Sequence, residues 1–149
     1  MLMKTHLAFG MIGFLILLPE VSHKLIFFFG VLVATLLPDI DSYNSYLGNR
    51  WYLRPFQWAT KHRGALHSFT FCILVSIGFA FFIPILALPF FLGYSIHLFS
   101  DSFTHEGIRP FWPLKDECTG KIKVGGTIEQ GLFYGALLVC VILFIRFFI

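Results

Sequence analysis

The chain has 149 residues, of which 57% are hydrophobic and only 13% are charged. This composition excludes an ordinary soluble domain, in which about 25% of the residues are charged. The net charge of +3 is spread over several loops, which argues against the clustered basic surface of a nucleic-acid-binding protein. We therefore expect a single integral-membrane domain over residues 1–149, without a nucleic-acid partner.

Five apolar segments follow one another along the chain. They cover residues 5–18, 25–38, 66–83, 86–103 and 128–149, and a tight turn between Pro84 and Pro89 is expected to join the third to the fourth. Several are shorter than the about 20 residues that a bilayer crossing needs, and reach that length only with the polar residues at their ends. The predicted fold class is all-α, a polytopic membrane bundle of about five helices.

Lysine and arginine residues are distributed unequally between the two sides of such a bundle. One precedes the first helix and four lie in each of the loops 39–65 and 105–127, whereas only Lys24 and Arg146 fall on the opposite side. Positive residues favour the cytoplasmic face of a membrane. We therefore expect the N-terminus and both long loops in the cytoplasm, and the C-terminus outside the cell membrane.

The fourth segment and the two residues after it carry His97, Asp101 and His105 at steps of four residues. Positions i, i+4 and i+8 share one face of a helix, so a single polar stripe is expected. A charged side chain deep in the bilayer costs about 2.5–3.5 kcal/mol on insertion scales, which indicates a partner in the protein interior or in a water-filled cavity. Imidazole and carboxylate groups without thiolates are typical ligands of zinc, manganese or iron.

Further histidines and carboxylates fall at the same end of the predicted bundle. Asp39 and Asp41 follow the second segment, where Pro-Asp also fits an ordinary helix stop. His62 precedes the third segment, and His67 lies at its start. Taken alone, each residue also fits a capping or snorkelling side chain at the membrane interface. Together they form a set of candidate ligands large enough for two ions: His6, Asp39, Asp41, His62, His67, His97, Asp101, His105 and Glu129.

Five short motifs extend this pattern over nearly the whole chain. They are L-P-D-I-D at 37–41, H-R-G-A-L-H-S at 62–68, G-Y-S-I-H-L-F-S-D at 93–101, T-H-E-G-I-R-P-F-W-P at 104–113 and G-G-T-I-E at 125–129. In this order they resemble the YdjM-like family of predicted membrane-bound metal-dependent hydrolases. That family is distantly similar to zinc-dependent phospholipase C and to P1-type nucleases, which are all-α enzymes with a zinc cluster.

The resemblance implies a set of probable ligands: His6, Asp39, His67, His97, Asp101, His105 and Glu129. Asp41 and His62 match family motifs, with roles that the resemblance leaves open. The phospholipase pattern has a late H-x-x-x-E, whereas Gly125 stands four residues before Glu129 here. This departure argues against a complete three-zinc site.

Hydrolysis by a metal-activated water is the chemistry that this ligand set predicts. A bound ion lowers the pKa of its water to about 7, and a two-ion site also clamps the attacked group. Asp39 or Asp41 would bridge ions or act as the general base, and Arg63 would pair with a phosphate unless it serves only as a positive anchor.

A site that opens at the membrane face favours a membrane lipid or another amphiphilic phosphoester as the substrate. Zinc is the expected ion, with manganese and iron as the alternatives. The competing function is a divalent-metal transporter or a metal sensor, because ligands inside a membrane also mark ion pathways. Candidate ligands confined to one end of the bundle argue against a conducting path.

Overall fold

The fold was analysed in a computed structural model, which describes residues 1–41, 51, 54 and 64–148. These residues form five α-helices: α1 Met3–Leu17, α2 Lys24–Leu36, α3 Phe69–Phe82, α4 Pro84–Ser102 and α5 Thr127–Phe148. The same ranges contain no β-strand. Two isolated β-bridges lie within the segment that connects α4 to α5. The predicted all-α class and the number of helices are confirmed. His62 and Arg63 lie outside the described residues.

Two short 3₁₀-helices adjoin the α-helices where the candidate ligands lie. One, Leu37–Asp41, continues directly from α2, and the other, Ala65–His67, precedes α3. Pro38 has no N–H for an α-helical hydrogen bond, which explains why α2 gives way to a tighter turn. Ser68 caps α3, because its hydroxyl oxygen accepts a hydrogen bond of 3.2 Å from the Phe71 amide.

The break between α3 and α4 falls at Ile83, so the expected turn between Pro84 and Pro89 is wrong. Pro84 occupies the first turn of α4, where its missing N–H costs no helical hydrogen bond. Pro89 lies inside α4 against Gly30 of α2, where an added Cβ would stand 2.8 Å from the Cβ of Pro89. Packing against a neighbouring helix allows a proline within a membrane helix.

Glycine residues bring α2 close to both α1 and α4. A Cβ on Gly93 of α4 would lie 2.3 Å from the carbonyl oxygen of Val31 and 3.0 Å from the amide nitrogen of Thr35. A Cβ on Gly10 of α1 would lie 2.8 Å from the hydroxyl oxygen of Thr35. Small residues at such positions permit close approach of helix backbones. The end of α2 is thereby held between α1 and α4.

The outer faces of the helices are apolar. Large exposed side chains include Phe29, Phe81, Phe82 and Leu138, an arrangement suited to lipid rather than to water. Among the described residues, two helices are long and apolar enough to cross a membrane by length and composition, Pro84–Ser102 and Thr127–Phe147. The apolar helices Met3–Leu17 and Phe69–Phe82 are shorter.

Candidate metal centre

Six of the predicted ligands meet at one end of the bundle. They come from the first turns of α1, the two 3₁₀-helices and the last turns of α4: His6, Asp39, Asp41, His67, His97 and Asp101. Five of these side chains are buried, whereas that of Asp39 retains 20% exposure. Asp39 is therefore the carboxylate of this cluster that water or a substrate reaches most readily.

The three histidines direct their Nε2 atoms toward two carboxylates. His97 Nε2 lies 3.5 Å from Asp101 Oδ2 and 3.8 Å from Asp39 Oδ1. His6 Nε2 lies 3.3 Å from Asp101 Oδ1, and His67 Nε2 lies 3.9 Å from Asp39 Oδ1. Tetrahedral ligands at about 2.0–2.1 Å from a zinc ion stand about 3.3 Å from one another. The separations in the cluster are thus close to those expected around an ion.

Hydrogen bonds on the far side of two imidazoles set their orientation. His97 Nδ1 lies 2.7 Å from the carbonyl oxygen of Thr35, which can only accept, so Nδ1 carries the proton. The Ser100 hydroxyl donates to the His97 carbonyl oxygen at 2.9 Å, and its oxygen therefore accepts the proton of His6 Nδ1, also at 2.9 Å. Both Nε2 atoms are left with a lone pair, the form in which histidine binds a metal.

These two Nε2 atoms are buried and have no hydrogen-bond partner within the described part of the chain. A lone pair that faces a carboxylate oxygen at 3.3–3.5 Å is repelled by it. A cation between the two groups would turn that repulsion into attraction. The residues of the cluster therefore fit a metal ion both in chemistry and in spacing.

His67 is oriented by a carboxylate. Its Nδ1 lies 3.4 Å from Oδ2 of the buried Asp41, while its Nε2 faces Asp39. Burial lowers the pKa of His67 below its usual value, although the contact with Asp41 opposes this shift, so the neutral ligand form is favoured. A carboxylate behind a metal-binding histidine commonly fixes the orientation of the ring. Asp41 is placed to orient His67, and Asp39 would be a ligand of an ion bound at His67 Nε2.

His105 lies apart from the cluster, because α4 ends at Ser102. The Thr104 amide and hydroxyl both donate to the carbonyl oxygen of Asp101, at 3.0 and 2.7 Å, and the chain then leaves the helix. His105 is exposed, and its Nε2 lies 2.8 Å from the carbonyl oxygen of Lys121. The expectation of one helical stripe through His105 is therefore wrong, since periodicity alone does not show where a helix ends.

Glu129 is buried in the first turn of α5 and is held by backbone amides. Its Oε1 accepts from the Leu2 amide at 2.5 Å, and its Oε2 accepts from the Gly125 amide at 2.6 Å. Gly125 has a φ of +75°, a left-handed conformation that glycine adopts easily. In this structure Glu129 joins the starts of α1 and α5 and acts on the cluster by fixing the helix that carries His6.

Thr35, Ser100 and the Met1 amino group complete the surroundings of the cluster, and none of them was predicted from the sequence. Thr35 and Ser100 are buried polar residues within apolar helices, and this contrast is the sequence signal that identifies them. The amino group of Met1 contacts Oδ1 of Asp101 and provides a cationic neighbour on the α1 side.

Replacing Ser100 with alanine should weaken metal binding, because His6 Nδ1 then loses the acceptor that fixes its tautomer. Outer-shell substitutions typically cost about 10–100-fold in metal affinity. The affinity can be measured by titration against a competing chelator in detergent. Ser102→Ala is the matched control, since the exposed Ser102 hydroxyl bonds only the Phe99 carbonyl oxygen of its own helix in the described hydrogen-bond network. Equal affinities for the two variants would contradict the orienting role.

The helical fold, its apolar outer faces and the buried His/Asp cluster define a membrane protein with a candidate metal centre. The sequence profile of the family described as YdjM inner membrane protein matches residues 1–148, and the chain belongs to this family. The predicted membrane localisation is thereby confirmed. The expected hydrolase activity and the distant relationship to phospholipase C stay predictions.

Two curated relatives carry the name Inner membrane protein YdjM. The protein of Escherichia coli (strain K12) is 38% identical over 95 residues, which cover 56% of this chain and 47% of the relative. The protein of Shigella flexneri gives the same identity and coverage. The match spans about half the length of these relatives. No solved structure matches the chain.

Proposed function

We propose that this protein is a membrane-embedded, metal-dependent hydrolase that acts on a lipid or another amphiphilic phosphoester. One observation carries the proposal: three buried imidazoles, from three separate elements, direct Nε2 at Asp39 and Asp101 while Nδ1 of each faces an acceptor. The Met1 amino group already supplies one positive charge to Asp101, and a bound ion would add positive charge beside Asp39 as well. Nitrogen and oxygen ligands favour zinc, with manganese and iron as alternatives.

The geometry supports a single ion held through His97. Two ligand groups are present in the described residues, one of His6, Asp39 and His97 and the other of His67, His97 and Asp101. They share His97, whose Nδ1 is bonded to the Thr35 carbonyl oxygen, so that only its Nε2 is left for a metal. One nitrogen lone pair binds one ion. A second ion would therefore need ligands other than His97.

When bound, the ion would lower the pKa of a coordinated water to about 7 and so supply a nucleophile near neutral pH. Asp39, the partly exposed carboxylate, is placed to accept the proton of that water. The water oxygen would form a bond to phosphorus while the bond from phosphorus to the ester oxygen breaks, and the proton taken up by Asp39 would pass to the departing alcohol. Arg63 is proposed to pair with the phosphate.

The substrate class follows from where the cluster lies. The helices around it expose apolar surface, and Asp39 at the opening provides the polar contact. A molecule with an apolar body and a polar phosphoester satisfies both environments. The excess of lysine and arginine at this end of the bundle favours a site that faces the cytoplasm.

The test is hydrolysis in vesicles made of phosphatidylethanolamine and phosphatidylglycerol that contain the purified protein. We expect metal-dependent loss of a phospholipid, detected by mass spectrometry of the lipid and water-soluble products, and loss of this activity in Asp39→Asn. His23→Ala serves as the matched control, because His23 is exposed at the other end of α2. Metal uptake into the vesicles without hydrolysis would contradict the proposal and favour a transporter, and tight metal binding with neither activity would favour a sensor.

A further inference from the structure

An apolar groove of about 690 Å³ runs along α1 and α4 and adjoins the candidate metal centre through residues that contact its ligands. Its walls include Phe9, Ile12, Ile16, Leu92, Ile96 and Phe99. Ser100 also lines the groove, and its hydroxyl oxygen accepts the hydrogen bond from His6. Met1, whose amino group contacts Asp101, lies at the same end. The groove is therefore apolar along its length and meets the cluster at its polar end.

The length of the groove suits one hydrocarbon chain. Its wall on the α4 side extends from Phe91 to Phe103, which is about 18 Å at a rise of about 1.5 Å per residue. One leaflet of a bilayer has a hydrocarbon thickness of about 15 Å, half of the about 30 Å of the whole core. An extended acyl chain lying along α4 would fill the groove and leave its polar end at Ser100.

Two other apolar grooves on the bundle provide a comparison. One of about 620 Å³ lies among α2, α3 and α4 and is lined by Val33 and Phe79, and another of about 720 Å³ lies between α1 and α5. They have similar volumes, yet their walls contain neither Ser100 nor Met1, the two residues through which the groove along α1 and α4 adjoins the cluster. Continuity with the cluster, rather than size, distinguishes the groove along α1 and α4.

We infer that the groove along α1 and α4 binds one acyl chain of a membrane phospholipid and so presents the phosphoester of that lipid to the metal centre. The presentation of the phosphoester rests on the proposed hydrolase function. Binding of the acyl chain does not, because the groove is formed mainly by apolar side chains of α1 and α4 and needs no ion.

The inference can be tested with a phosphatidylethanolamine that carries a photoreactive diazirine in one acyl chain, mixed into vesicles that contain the full-length protein. After irradiation, the labelled positions are mapped by mass spectrometry. We expect labelling concentrated on the groove-facing residues of α1 and α4. Labelling of all helices in proportion to their exposure would overturn the inference.

Filling the groove should remove the labelling. Ile12→Trp places a larger side chain in the groove, and Val33→Trp makes the same type of change in the groove among α2, α3 and α4. We expect Ile12→Trp to lose the labelling of α1 and α4 and Val33→Trp to retain it, with metal content and melting temperature of both close to those of the wild type. Unchanged labelling in a folded Ile12→Trp variant would contradict the assignment.

Metal analysis of the same samples separates this inference from the proposed function. Labelling of the groove in a protein that binds no metal would leave acyl-chain binding in place and contradict the hydrolase. Stoichiometric metal with evenly spread labelling would contradict the groove and leave the metal centre in place. Asp101→Asn provides a further check, because it should empty the centre and leave the labelling of α1 and α4 unchanged.

Discussion

Replacing His97 with alanine should reduce the metal content of the detergent-purified protein from stoichiometric to background levels. His97 belongs to both ligand groups, and its Nε2 lies 3.5 Å from Asp101 and 3.8 Å from Asp39. No other histidine of the described residues is shared in this way. The metal content per chain can be measured by inductively coupled plasma mass spectrometry on protein of known concentration.

His105→Ala is the matched control for this prediction. Both histidines belong to the sequence motif that suggested the centre, but His105 is exposed and its Nε2 lies 2.8 Å from the Lys121 carbonyl oxygen. We expect His105→Ala to retain its metal. Loss of metal from His105→Ala together with retention of metal by His97→Ala would contradict this assignment of the ligands. His97→Gln, which keeps more of the side-chain volume, checks that loss of metal does not result from unfolding.

Replacing Gly93 with alanine should strongly destabilise the protein and weaken metal binding. The new Cβ would stand 2.3 Å from the Val31 carbonyl oxygen and 3.0 Å from the Thr35 amide nitrogen, so α2 and α4 must separate. Overpacking costs about 1–3 kcal/mol of unfolding free energy and occasionally more, and backbone atoms cannot move aside as side chains do. Separation would also draw the Thr35 carbonyl oxygen away from His97. Thermal unfolding in detergent and chelator titration measure the two effects.

Gly78→Ala in α3 is the control for the Gly93 substitution. Apart from Gly78 itself, its two chain neighbours and the nearby backbone of its own helix, no atom of the described residues lies within 4 Å of the position that the new Cβ would take. Alanine is favoured over glycine in a helix by about 1 kcal/mol, so we expect unchanged or increased stability. If both variants melted at the same reduced temperature, close packing of α2 against α4 would not explain the requirement for glycine.

The sequence was sufficient to locate the helices to within a few residues. The predicted segments 5–18 and 86–103 correspond to Met3–Leu17 and Pro84–Ser102, because a long apolar run can hardly be anything other than a helix in a membrane. The predictions from the sequence are wrong where the local conformation depends on packing against other parts of the protein. A turn was expected between Pro84 and Pro89, but Pro89 lies inside α4 against Gly30, and His105 was expected to extend a helix that ends three residues earlier.

The sequence by itself determined that this is a helical membrane protein with histidine and aspartate side chains available to a metal. Composition and ligand chemistry are properties of the residues themselves, so they can be recognised without a structure. Only the tertiary structure decided which of these side chains meet and which imidazole nitrogen faces the centre. His6 meets Asp101, and Thr35 orients His97, across large separations in the chain. Such contacts depend on the close packing of α1, α2 and α4, which no local pattern specifies.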